Sequence, residues 1–208
     1  MGVSLFKEIN KWAVSTPALH GVFLVIAVWL GVVILAVLFV IAYVRARFLS
    51  EAPERVARLV WIPIGSLVAL GVGQLLNHAV ARPRPWQFVP GALILAGHPH
   101  DYSFPSDHGI VAGAIVMGIW LAKDSLIAGI ATVFALFLGF TRVYVGAHYP
   151  LDVLGGLFIG AVVIAILSPL AFKVFNPMAR KLAQGKLRWI ITSRPKVEQT
   201  VTRFSRYS

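Results

Sequence analysis

A chain of 208 residues that is 58% hydrophobic and only 13% charged, with a mean hydropathy of +0.81, is not a soluble domain but a membrane protein that crosses more than once. The absence of cysteine excludes disulfides, a thiolate nucleophile and a cysteine metal site, and it says nothing about redox compartment. A formal charge of +11 could point to nucleic acid, but nine of the nineteen Lys and Arg residues fall between Lys173 and Arg206, beyond the last apolar run. A basic segment beside a span marks topology and anionic lipid rather than nucleic acid.

Residues 4–14 read as an interfacial helix, with Leu5, Phe6, Ile9, Trp12 and Ala13 on one stripe and Lys7, Glu8 and Lys11 off it. Pro17 is its stop. From about Gly21 to Tyr43 the chain is uncharged and long enough to cross a bilayer. The run is too long for a signal peptide and lacks a small-x-small cleavage site. Arg45, Arg47, Glu51, Glu54, Arg55 and Arg58 make a short polar loop. A second span, Leu59 to Val80, carries Gln74, Asn77 and His78 near its far end, where polar groups must face protein or a watery cavity. Pro83 and Pro85 end it and push Arg82 and Arg84 into an extended segment.

Residues 86–104 read as a loop with turns at Pro90-Gly91 and Gly97-His98-Pro99. A third span runs from Gly109 to Leu121, with Ser106 or Asp107 as its N-cap. Its free N–H groups and partial positive charge would make an anion site. Lys123-Asp124 marks a tight turn, a fourth span covers 126–140, and a fifth runs from about Val153 to Val174. Gly156 and Gly160 in the fifth allow close helix packing. The expectation is an all-α, polytopic membrane helix bundle of about five transmembrane helices plus the N-terminal interfacial helix. Residues 1–175 would form one membrane domain and residues 176–208 a basic cytoplasmic tail.

The stretch from Thr141 to Asp152 holds Arg142, His148 and Asp152 at offsets of six and four residues. Ionisable groups at the edge of a span are expensive and point to function. A carboxylate can orient an imidazole, and a guanidinium fork suits phosphate oxygens. These residues alone also admit a surface Arg–Asp pair beside an unrelated histidine. Five spans put the end of the second, the start of the third and the junction of the fourth and fifth on one face, so three polar blocks converge. His98, His100 and Asp101 read either as a metal-ligand cluster or as loop residues near a lipid headgroup.

Taken in order, Arg84-Pro85, Pro105-Ser106-Asp107-His108 and Arg142-x5-His148-x3-Asp152 resemble the three-block signature of the type-2 phosphatidic acid phosphatase (PAP2) family, over roughly residues 77–155. The resemblance implies His148 as the nucleophile that forms a phosphohistidine, with Asp152 holding its productive tautomer. It implies His108 as general acid, and Arg84 and Arg142 as clamps on the phosphate, helped by Ser106 and the helix start. It implies no metal and no cofactor. Three positions depart from the pattern. Asn77 stands where the family has lysine, so that cation is absent or replaced by Arg82. Thr141 replaces a serine. Asp107 replaces a glycine, and its carboxylate must point away from phosphate or be paired, for example with Arg82.

Ser-Phe-Pro-Ser-Asp-His is similar to the bacterial undecaprenyl pyrophosphate phosphatase branch linked to bacitracin resistance. The implied activity is hydrolysis of a polyprenyl pyrophosphate in cell wall biogenesis. The nearest enzymatic alternative is a phosphatidylglycerol phosphate or phosphatidic acid phosphatase. The non-enzyme alternative is a transporter that binds anionic lipid. The implied partners are a membrane lipid phosphate and the bilayer, not nucleic acid, and the oligomeric state is open. The distribution of Lys and Arg places the first loop and the tail in the cytoplasm and the site on the outer face of the plasma membrane.

Overall fold

A chain this apolar must satisfy its backbone hydrogen bonds within itself, and helices do so segment by segment. A computed structural model describes residues 2–193, and among these every regular element is helical. α1 (Gly2–Ser15) is followed by a single 3-10 turn, Pro17–Leu19, and α2 (His20–Val25). A π-helical turn, Ile26–Leu30, joins α2 to α3 (Gly31–Ala46). Then come α4 (Ala52–Val80), α5 (Pro85–Phe88), α6 (Asp107–Leu121), α7 (Ser125–Tyr144), α8 (Pro150–Gln184) and α9 (Arg188–Ile191).

Among the described residues four stretches are long and apolar enough to cross a membrane: 17–46, 52–88, 125–144 and 150–184. The expected third span, α6, has only 15 residues, about 22 Å of helix against a hydrocarbon core of about 30 Å. It can be short because it is enclosed. α4 and α8 pack on one side of it, and α3 and α7 on the other. Leu35, Leu38, Leu59, Ile62, Ile119 and Leu138 from these helices form the main apolar core. Trp29, Leu67, Leu75, Phe158, Ile166 and Leu170 point outward, each at least 65% exposed, as side chains facing lipid tails do.

The α6–α8 seam is built on glycine. A Cβ at Gly113 would lie 2.0 Å from the Leu157 carbonyl oxygen, and one at Gly160 would lie 2.0 Å from that of Ile110. The expected packing role of Gly156 and Gly160 is what the structure has, with Gly109 and Gly113 as their partners across the seam.

Several boundaries differ from the sequence reading. α8 begins at Pro150 rather than Val153, because proline is pre-set for the first helical position, and it runs ten residues beyond Val174. α5 was expected to be loop. Gln87 Oε1 accepts from the Arg84 N–H at 3.1 Å and closes a short turn. In α1 the inward side is Phe6, Asn10 and Ala13, while Leu5 and Trp12 are exposed. Asn10 explains the rotation: its side chain bonds both the N–H and the carbonyl of Leu93.

One end of the bundle gathers the loop after α3, the turn before α7 and the end of α8. Arg45 pairs with Asp124 at 2.8 Å, Arg55 donates to the carbonyls of Ala122 and Lys123, and Arg180 pairs with Glu54. Ser193 N–H donates to the Arg47 carbonyl at 3.0 Å. The opposite end gathers the three polar blocks. Residues 194–208 of the expected tail lie outside the described residues.

Candidate active site

The turn between α7 and α8 positions the central imidazole. Gly146 sits at φ 77°, and a Cβ there would meet the Leu93 carbonyl oxygen at 2.6 Å. The same turn accepts Leu95 N–H at 2.9 Å on the Val145 carbonyl, so the loop after α5 is stitched to it.

His148 follows, 3% exposed. Its Nδ1 lies 2.8 Å from the Ser103 carbonyl oxygen, which can only accept, so Nδ1 carries the hydrogen and Nε2 keeps its lone pair. Nε2 faces Arg142 Nη2 at 3.2 Å and Arg84 Nη1 at 3.5 Å. Burial, and then the charges of Arg142 and Arg84, hold this imidazole well below the usual histidine range. It is therefore a neutral base with its lone pair aimed at two cations.

Arg84 is buried, with its fork closed on Asp101: Nε to Oδ1 at 3.0 Å and Nη2 to Oδ2 at 2.9 Å. Its Nη1 donates to the Ala147 carbonyl and borders His148. Arg142, in the last turn of α7, donates from Nη1 to the Ala27 carbonyl at 3.2 Å. Its Nε is buried with no hydrogen-bond partner among the described residues. A buried, unsatisfied guanidinium N–H is costly unless an anion completes it.

The contact expected between Asp152 and His148 is taken by Ser103. Asp152, fully buried in the first turn of α8, accepts from Ser103 Oγ, from Arg82 Nη1 and from the Tyr149 N–H at 3.0 Å. Ser103 thus bonds Asp152 through its hydroxyl and His148 through its carbonyl. Arg82 also stacks on the Tyr149 ring, 4.1 Å from its centroid.

His108, in the first turn of α6, places Nε2 3.3 Å from the Val28 carbonyl. It lines an apolar groove of about 560 Å³ with Asp107, Val28, Trp29, Leu70 and Val111. Ser106 is the N-cap of α6: its Oγ accepts from Gly109 N–H and is fully buried.

Asn77, Arg82 and Asp107 all have partners within the protein. Both amide hydrogens of Asn77 are spent on the carbonyls of Tyr102 and Phe104, so it ties the loop down instead of offering a donor. Arg82 pairs with Asp152 through Nη1. Asp107 pairs with Gln74, at 3.2 Å, and not with Arg82. Of the residues read as loop or metal ligands, Asp101 holds Arg84, and His98 lies edge-on to Trp86 at 5.1 Å. No group of three or more His, Asp or Glu residues placed to hold a metal occurs among the described residues.

Sequence reasoning passed over Ser103 and did not connect Asp101 with Arg84. The only signal was their position in the polar run Asp101-Tyr102-Ser103 before the Pro-Ser-Asp-His block.

The chain is similar to known proteins in sequence and in fold. The family model described as PAP2 superfamily matches residues 57–175. The chain is 30% identical over 167 residues to an undecaprenyl-diphosphatase of Sulfolobus acidocaldarius, covering 76% of this chain and 73% of that one. It is 36% identical over 119 residues to undecaprenyl-diphosphatase BcrC of Bacillus subtilis, covering 56% and 57%. A solved structure, the transmembrane PAP2-type phosphatidylglycerolphosphate phosphatase of Bacillus subtilis, superposes with a TM-score of 0.58 at 27% identity, over 82% of this chain and 86% of that one.

Proposed function

Because the chain belongs to the PAP2 superfamily, and so is a membrane lipid phosphatase, we propose that it hydrolyses a polyprenyl pyrophosphate to the monophosphate and inorganic phosphate through a phosphohistidine. The observation that carries the chemistry is the bare Nε2 of His148 set between the N–H groups of two buried arginines, one of which has an unsatisfied N–H.

His148 Nε2 attacks the terminal phosphorus. The P–N bond forms as the P–O bond to the lipid phosphate breaks. Arg84 Nη1 and the free N–H groups of Arg142 hold the non-bridging oxygens where charge spreads. His108, as the imidazolium, gives its Nε2 proton to the leaving oxygen, and the neutral ring later takes one from the water that cleaves P–N. Asp152 acts on the nucleophile through Ser103: its carboxylate fixes the hydroxyl, and the same residue's carbonyl holds Nδ1–H as the ring becomes cationic. Charge neutralisation in this scheme rests on guanidinium groups and requires no metal.

The polyprenyl assignment is supported by the Ser-Phe-Pro-Ser-Asp-His block and by the names of the relatives from Sulfolobus and Bacillus. Phosphatidylglycerol phosphate is the second reading, favoured by the superposed Bacillus structure. Phosphate release by the purified protein from undecaprenyl pyrophosphate, phosphatidylglycerol phosphate and phosphatidic acid decides between them. The pyrophosphate should be preferred, and equal or lower turnover than on the glycerolipids overturns the choice. In the same assay His148→Ala should abolish release from every lipid while the protein stays folded. His108→Ala should lose almost as much on an alkyl phosphate and less on p-nitrophenyl phosphate, whose leaving group needs little acid help.

A further inference from the structure

The first span contributes no side chain to the chemistry and lies outside the residues matched by the family description, 57–175. Yet two of its backbone carbonyls reach the site. Ala27 O accepts from Arg142 Nη1 at 3.2 Å, and Val28 O accepts from His108 Nε2 at 3.3 Å. In a regular α-helix carbonyls lie along the axis and are occupied by the i+4 N–H. Here the helix is opened into a π turn over Ile26–Leu30, closed by Gly31 N–H on the Ile26 carbonyl. Such a turn carries one extra residue and occurs preferentially at functional sites.

We infer that the π turn of the first span is a positioning element for catalysis, in which Ala27 O holds the Arg142 fork and Val28 O holds His108 with its transferable proton on Nε2. A carbonyl only accepts, so the contact selects the form of His108 with hydrogen on Nε2. At 3.3 Å the bond is long for N–H···O, and a phosphate oxygen arriving in the groove can replace it. The resting contact therefore stores the proton without locking it. The inference rests on His108 being the general acid and deepens that reading.

Gly31 makes the turn testable. A Cβ there would lie 2.8 Å from the Ile26 carbonyl oxygen, five residues back, and 2.5 Å from Leu138 Cδ1. The first clash belongs to the π geometry and the second to packing against α7. In a Leu138→Ala background the second is removed, so adding Gly31→Ala acts on the turn alone. The measurement compares Gly31→Ala/Leu138→Ala with Leu138→Ala in two monoesters, dodecyl phosphate and p-nitrophenyl phosphate. The double variant should lose about tenfold or more in kcat on the alkyl ester and several times less on the aryl ester. Equal losses on both, or no loss, overturn the inference.

A wild type that hydrolyses no lipid or alkyl phosphate overturns the proposed function first, whereas an inactive Leu138→Ala parent means only that the buried leucine is needed for folding. Ring nitrogen-15 NMR of the wild type, assigned with His108→Gln, then still decides the positioning. His108 should carry hydrogen on Nε2, and a ring protonated on Nδ1 alone overturns it.

Discussion

His148 is neutral because it is buried beside two guanidinium groups, and that has a cost in acid. An unfolded histidine takes up a proton below a pH of about 6.5, whereas the folded ring refuses it until much lower. Between those limits the unfolded chain binds more protons, so stability falls as pH drops and is fully restored above the unfolded value. The wild type in detergent should lose up to about 1.4 kcal/mol per pH unit more than His148→Gln on going below about pH 6.5. Identical pH slopes in the two proteins would mean that the ring titrates normally. Asp107 is a second test at this scale. Its carboxylate is paired with Gln74, so Asp107→Gly should leave substrate KM within about threefold, and a collapse of binding would give the carboxylate a direct role. That Arg142, His148 and Asp152 gather in one place could be anticipated from spacing and resemblance. What no spacing could reveal was that Ser103 stands between the carboxylate and the ring, because that contact joins residues 45 and 49 positions apart.

The elements were legible where apolar runs are long and punctuated. Prolines and a polar cap marked the far end of α4 and the start of α6. The π turn was not, since Ile26–Leu30 is as apolar as its neighbours and the register change is set by what packs on it. The glycines of the α6–α8 seam were half visible: Gly156 and Gly160 in the sequence of one helix, their partners only in space. Because a Cβ on Gly113 would meet backbone and not a movable side chain, Gly113→Ala should cost about 1–3 kcal/mol or more in thermal unfolding and should displace His108 with its helix. Gly129, around which a Cβ meets nothing within 4 Å, is the control and should tolerate alanine.

Over the whole molecule the two ends of the bundle differ in charge chemistry. Arg45, Arg47, Arg55, Lys123 and Arg180 crowd one end, and His108, His148, Arg84 and Arg142 occupy the other. By the bias of Lys and Arg toward the cytoplasm, the active site is proposed to face outward. A cysteine at Gly91 should react with a membrane-impermeant thiol reagent in intact cells, and one at Ser208, outside the described residues, should not. The reverse labelling would overturn the orientation and remove the argument for a carrier lipid recycled on the outer face.

The brevity of α6 has a consequence for how substrates are found. Its first turn, with His108, begins partway into the bundle, beside an apolar groove of about 560 Å³. A phosphate held at that depth by a hydrocarbon tail is tethered to the enzyme's own plane, and its encounter with His148 becomes a two-dimensional search at high effective concentration. A water-soluble ester has no such tether and must enter as a free solute. Trimming the tail should therefore reduce kcat/KM well before it changes any contact at phosphorus, so that the membrane itself behaves as a second substrate.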